Sequence, residues 1–64
     1  MFLNGRQITL KDGSSVNELL LKEGYDSQKV AVEKNGIIVP KRSYETETLS
    51  DNDKLEIVSF VGGG

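Results

Sequence analysis

Chemistry needs a nucleophile, a proton carrier, a metal ligand or an activated acyl group. This sequence supplies few of them. Its 64 residues include no cysteine and no histidine. That excludes a thiolate nucleophile, an imidazole base, a Ser-His-Asp relay and a zinc site built on those side chains. Glu45, Glu47, Asp51 and Asp53 make an acidic stretch, but it lacks the spacing and the glycine of a calcium loop and reads as solvated. Paired carboxylates could hydrolyse glycosides only in a cleft that splits their pKa values, and a chain this short offers no such cleft. Lys41-Arg42 is the one adjacent basic pair, and it reads as solvated too. Tyr25 and Tyr44 read as packing residues. The segment "SFVGGG" remains. Gly62, Gly63 and Gly64 carry no Cβ, so chain of this kind can pass through a very narrow passage. Gly64 offers an α-carboxylate, a poor acyl donor until it is activated as an acyl phosphate or acyl adenylate. Read alone, the glycines fit either a loose end or an arm that another enzyme threads and acts upon.

The elements that would hold such an arm must be small. A chain of this length makes one domain, which buries only roughly 60% of its unfolded surface. The apolar fraction is 36%, the charged fraction 28% and the net charge −2, which fits a globular rather than a disordered chain. Basic residues are dispersed, so a phosphate-binding stripe is absent and nucleic acid is not an expected partner. The apolar runs are too short to span a bilayer, and "MFLNGRQ" has no signal-peptide pattern. The expected compartment is the cytoplasm, with no membrane contact.

Periodicity divides the chain into elements. "MFLNGRQITL" predicts a hairpin turned at Asn4-Gly5, with Met1, Leu3, Ile8 and Leu10 inward. The period then changes from 2 to 3.6. Ser15 and Glu18 form a capping box, Val16, Leu19 and Leu20 make one apolar face, and Gly24 stops the helix. "KVAVEKNGIIVP" predicts a second hairpin at Asn35-Gly36. A two-residue turn places Val30, Val32, Ile37 and Val39 on one side, and a bulged three-residue loop groups Val30, Val32 and Ile38; the expected inward set is the latter. Pro40 ends the strand or marks an edge. Tyr44 and Leu49 anchor an irregular polar stretch, and Asp51 to Asp53 turn into a last strand, "KLEIVSF". Leu55 and Ile57 face inward there, which leaves Val58 and Phe60 as an outward apolar patch beside the glycines. The predicted class is α+β: a mixed sheet of about five strands with one main helix on one face, in the β-grasp arrangement. Residues 1–60 form the domain and 61–64 a flexible glycine arm.

Taken in order, "FLNG", "SSVNELL", "VAVEKNGIIVP", "KRSY", "LSDNDKLEIVSF" and "VGGG" resemble the ThiS family, the sulfur carriers of thiamine biosynthesis, over essentially the whole chain. The resemblance implies a ubiquitin-like β-grasp and a cycle on the Gly64 carboxylate. An E1-like adenylyltransferase (ThiF type) would use ATP and magnesium to adenylate it. Sulfur from a cysteine desulfurase would convert it to a thiocarboxylate, and thiazole synthase (ThiG type) would take that sulfur. The chain would then be a protein cosubstrate rather than an enzyme, with no cofactor of its own. Gly63 and Gly64 match the family's diglycine, and Gly62 and Val61 match the arm entering the partner's channel. Val58 and Phe60 are the docking candidates. Ile37 stands where the family often carries a polar residue. The alternatives are a MoaD-like carrier for molybdopterin synthesis, a ubiquitin-like modifier of lysines, and a β-grasp interaction module.

Overall fold

The structure is a computed structural model and describes residues 1–60. The first hairpin pairs β1 (Phe2–Leu3) with β2 (Arg6–Gln7). Its turn residues, Asn4 and Gly5, both have positive φ, at 51° and 80°. That is the two-residue turn whose twist matches antiparallel strands, and Asn and Gly are the residues that tolerate it. Met1, Leu3 and Leu10 are buried on the inner side, as expected, and Ile8 is half-buried against them.

Helix α1 (Val16–Glu23) begins where Ser15 adopts an extended conformation. The Glu18 N–H donates to Ser15 Oγ at 3.1 Å, and the Ser15 N–H donates to Glu18 Oε1 at 2.9 Å. The other unsatisfied N–H groups of the first turn are met from outside the helix. Val16 donates to the Glu47 carbonyl and Asn17 to the Tyr44 carbonyl, at 2.9 and 2.8 Å. Gly24, at φ 81°, closes the C-terminus. Isolated helices of eight residues are unstable, so packing holds this one. Val16, Leu19 and Leu20 are each fully buried, worth about 1.5–3 kcal/mol apiece. Leu21, on the flank of the stripe, faces solvent.

The second hairpin joins β3 (Val30–Lys34) to β4 (Ile37–Val39). Here the bulged register is overturned. Val32 pairs with Val39, Glu33 with Ile38 and Lys34 with Ile37, around a two-residue turn. Asn35 and Gly36 take φ 52° and 83°. Val30, Val32 and Val39 are therefore the inward set, and Ile38 is 68% exposed on the opposite face. Ile37 shares the parity of Val39 but lies past the rim of the core, 73% exposed. Pro40 ends β4 and opens a 3₁₀ turn (Lys41–Ser43) that the sequence reading left as irregular.

The last strand, β5 (Lys54–Ser59), lies in the middle of the sheet, whose order is β2-β1-β5-β3-β4. It runs parallel to β1 and antiparallel to β3. Leu55 and Ile57 are buried against α1's side of the sheet, with Tyr44 and Leu49 closing the core from the connecting stretch. This is the β-grasp fold.

Candidate functional site

β5 positions the residues singled out from the sequence. Its alternation sends Leu55 and Ile57 into the core and leaves Val58 and Phe60 outside, 59% and 57% exposed. Across the strand, Val58 faces Ala31 of β3. Ile38 and Phe2 are also exposed, on the same outer face by parity. The outer face thus carries a broad apolar surface uncovered by any helix, in a chain with few large side chains to spare. Val61, Gly62, Gly63 and Gly64 lie outside the described residues; Phe60 immediately precedes them.

The root of that segment is tied down. The Phe60 N–H donates to the Lys29 carbonyl at 3.2 Å, extending the β3–β5 ladder by one rung. Lys41 Nζ sits 5.0 Å from the Phe60 ring centroid and donates to the Gln28 carbonyl at 2.9 Å. The ammonium over the ring is a cation–π contact. Lys41 is exposed, as expected of a solvated pair; its contact with Phe60 has no sequence signal, because the 3₁₀ turn that swings it toward β5 has no hydrophobic period to announce it.

Two asparagines hold β5 from opposite sides, a role that sequence reading missed. β1 reaches only to Leu3 before turning away. The Asn4 side chain then takes the place of a further backbone rung: its Oδ1 accepts from the Ile57 N–H at 2.7 Å, and its Nδ2 donates to the Ile57 carbonyl at 3.2 Å. On the other side, Asn35 Oδ1 accepts from the Lys54 N–H at 2.9 Å and Asn35 Nδ2 donates to Asp53 at 3.0 Å. Each residue was legible as a turn former, and its side-chain duty required knowing where β5 lies.

The remaining polar chemistry is structural. Lys34 Nζ donates to Glu47 at 2.8 Å and to the Thr48 carbonyl at 3.0 Å, and stands 3.9 Å from Asp53. The hydrogen bond to Glu47 holds the Lys34 ammonium above the usual lysine range, against the opposing effect of burial and with help from the Asp53 and Glu47 charges. Partial burial alone would raise Asp53. The N–H of Ser50, the Asn35 amide and the Lys34 charge outweigh it and hold the carboxyl below the usual range. Burial pushes the Tyr44 hydroxyl up. A shallow groove of about 380 Å³ runs beside β4, lined by Lys34, Ile37, Val39, Pro40 and Glu47. The ionic groups in its wall are already paired with each other. Among the described residues, no trio of carboxylates is arranged to hold a metal ion, and no helix is long and apolar enough to cross a membrane. The helix N-terminus is satisfied by its own chain, which leaves it no room for an anion. What stands ready for contact is the outer face of β5 and its neighbours.

The family model described as the ThiS family matches residues 1–64. The chain is 48% identical over 64 residues to a thiazole synthase of Paramagnetospirillum magneticum, covering all of this chain and 20% of that protein. A second thiazole synthase, from Magnetococcus marinus, is 37% identical, with 19% of its length covered. The chain thus spans about a fifth of the length of these curated relatives. It is also 40% identical to the sulfur carrier protein ThiS of Bacillus subtilis, over 97% of this chain and 96% of that one. Among solved structures, the crystal structure of a thiamine biosynthesis protein (ThiS) from Geobacter metallireducens superposes with a TM-score of 0.84. It is 30% identical and covers 98% of this chain and 96% of that one.

Proposed function

The chain belongs to the ThiS family, and from that premise we propose that it is a sulfur carrier of thiamine biosynthesis whose reacting group is the Gly64 carboxylate. The similarity to a sulfur carrier over nearly the full length of both chains is the observation that carries this reading. The carboxylate attacks the α-phosphate of ATP on an E1-like adenylyltransferase, with magnesium, and pyrophosphate leaves. The terminal sulfur of a persulfide formed by a cysteine desulfurase then attacks the acyl carbon and AMP leaves, giving an acyl disulfide; a second thiol attacks that S–S bond, becoming part of a disulfide, and releases the thiocarboxylate. Thiazole synthase accepts that sulfur, and the carboxylate is regenerated. Throughout, the chain is a recycled cosubstrate: the nucleotide and the metal belong to the partner, and the cycle runs in the cytoplasm.

The chain's own contribution is presentation. Val58 and Phe60 offer apolar area that a partner buries, which anchors the carrier while Val61 and Gly62 to Gly64 enter the partner's channel. Glycine suits the channel because any Cβ there meets walls shaped for its absence. Thiazole synthase is favoured as a physical partner because two of its representatives include a region similar to all or nearly all of this chain. Joining two functions on one polypeptide raises their effective concentration, which benefits partners that must meet.

Mass spectrometry tests the reading. Incubated with the adenylyltransferase, ATP, magnesium and a sulfur source, the chain should gain the mass difference between sulfur and oxygen, localised to its C-terminal peptide. Gly63→Leu should abolish the gain while leaving the melting temperature unchanged. An unmodified mass for the parent chain, or a full gain for Gly63→Leu, would overturn the carrier mechanism or the narrow-channel argument respectively.

A further inference from the structure

The outer face is not uniformly apolar. At its centre, Glu33 of β3 stands directly opposite Glu56 of β5. Both side chains project outward, because their neighbours Val32 and Ile57 are buried. Like charges directly opposite on one face of a sheet are destabilising. Among the described residues, neither carboxylate takes part in an ion pair. Lys54, two residues before Glu56 on the same face, makes no ion pair with either of them. Lys34, beside Glu33 in sequence, points to the inner side and is committed to Glu47. Ile38 faces Glu33 from β4, and Val58 follows Glu56 by two residues along β5. The two carboxylates are therefore bordered by exposed aliphatic side chains on the face the carrier reading uses for docking.

The same face carries positive charge on both sides of the pair, from Lys54 two residues before Glu56 and from Lys41 over Phe60 four residues after it. Four residues of extended strand separate Glu56 from Phe60, or about 13 Å. The spacing along β5 is unequal: one cation's strand position lies about 7 Å from the acidic pair, the other about 13 Å away, where residues 61–64 begin. A uniformly apolar patch could be docked in several orientations. A patch with this unequal spacing meets a complementary partner in only one without burying an unpaired charge.

We propose that the outer face docks thiazole synthase through a cationic side chain inserted between Glu33 and Glu56, which fixes the direction in which residues 61–64 enter that enzyme. Arginine is the residue suited to the position. Its planar fork can donate to two carboxylates at once, and it is more weakly hydrated than lysine. It should stand about 13 Å from the channel mouth that receives the chain after Phe60. This rests on the carrier reading above. It adds to it the residues that choose orientation, distinct from those that supply apolar area.

The test is a titration of purified thiazole synthase with the full chain and with Glu33→Gln, Glu56→Gln and the double variant, alongside thermal melts. Glutamine keeps size and polarity and removes the repulsion. The double variant should bind about tenfold more weakly and lose much of the salt dependence of binding, while melting at the same or a higher temperature. Glu56→Arg should bind more weakly still. Binding of the double variant within twofold of the parent would overturn the proposal. So would weaker binding accompanied by a lowered melting temperature, which would make the pair part of the fold. A loss confined to the adenylyltransferase, titrated in parallel, would overturn the assignment to the synthase. If the unmodified chain bound neither enzyme, the carrier reading itself would fall, and this proposal with it.

Discussion

Asn4 is asked to do two things at once, and the two can be separated by mutation. Its backbone holds φ at 51°, and its side chain completes the ladder beside Ile57 with bonds of 2.7 and 3.2 Å. Each bond contributes about 1 kcal/mol net, and placing alanine in the left-handed region costs about 1 kcal/mol more. Asn4→Gly keeps the turn and loses the bonds, for about 2 kcal/mol. Asn4→Ala loses both, for about 3 kcal/mol. A domain of this size has roughly 3–10 kcal/mol of stability in all, so either loss is large. With roughly 4–8 °C per kcal/mol, Asn4→Gly should melt about 10 °C lower and Asn4→Ala about 15 °C lower. Circular dichroism melts, with urea titrations to check that the slope m is unchanged, measure this directly. A glycine variant as stable as the parent would show that the side-chain bonds contribute nothing. Equal losses in the two variants would refute the backbone argument.

Two further outcomes follow from the same geometry. Phe60→Ala gives up a side chain that the fold buries by less than half, together with the Lys41 contact, so it should cost the fold about 1 kcal/mol. In the proposed docking role its loss should cost partner affinity about thirtyfold, read by titration calorimetry; a lowered melting temperature with unchanged binding would place it in the core instead. For pH, Asp53 is held below its unfolded value of about 3.9, so its contribution is present above that pH and lost as pH falls through the folded value. Lys34 is held above its unfolded value of about 10.4, so its contribution is complete below that pH and lost as pH rises through the folded value. Urea midpoints should therefore decline below about pH 4 and above about pH 10, with Asp53→Asn flattening the acid limb and Lys34→Met the alkaline one.

Strand and helix assignments were legible wherever a local signal was unambiguous. Ser15 and Glu18 announced the helix start, and the alternation of Leu55, Glu56, Ile57 and Val58 announced which way β5 faces. The second hairpin was harder because Ile37, Ile38 and Val39 are all β-branched and apolar, so the run carries no parity of its own. Only the turn could decide, and Asn35-Gly36 chose the two-residue form, which turned Ile38 outward and Val39 inward. The candidate docking residues Val58 and Phe60 came from that clear parity. Glu33 facing Glu56, Lys41 over Phe60 and Asn4 beside Ile57 did not. Each joins residues far apart in sequence, and each depends on which strands are neighbours, a matter that no window of the sequence encodes.

The order of the sheet also constrains how the molecule comes into being. β5 is the last element of the described chain and the middle strand of the sheet. The two hairpins share no ladder with each other; both pair with β5. While these residues are being synthesised, the first fifty can form only local hairpins, turns and a transient helix, and closing the long loop from β1 to β5 must wait for residues 54–59. Sheet formation is thus an all-or-none event that depends on β5 being complete. A molecule truncated within β5 would expose two unmatched hairpin edges to proteases instead of persisting as a folded domain.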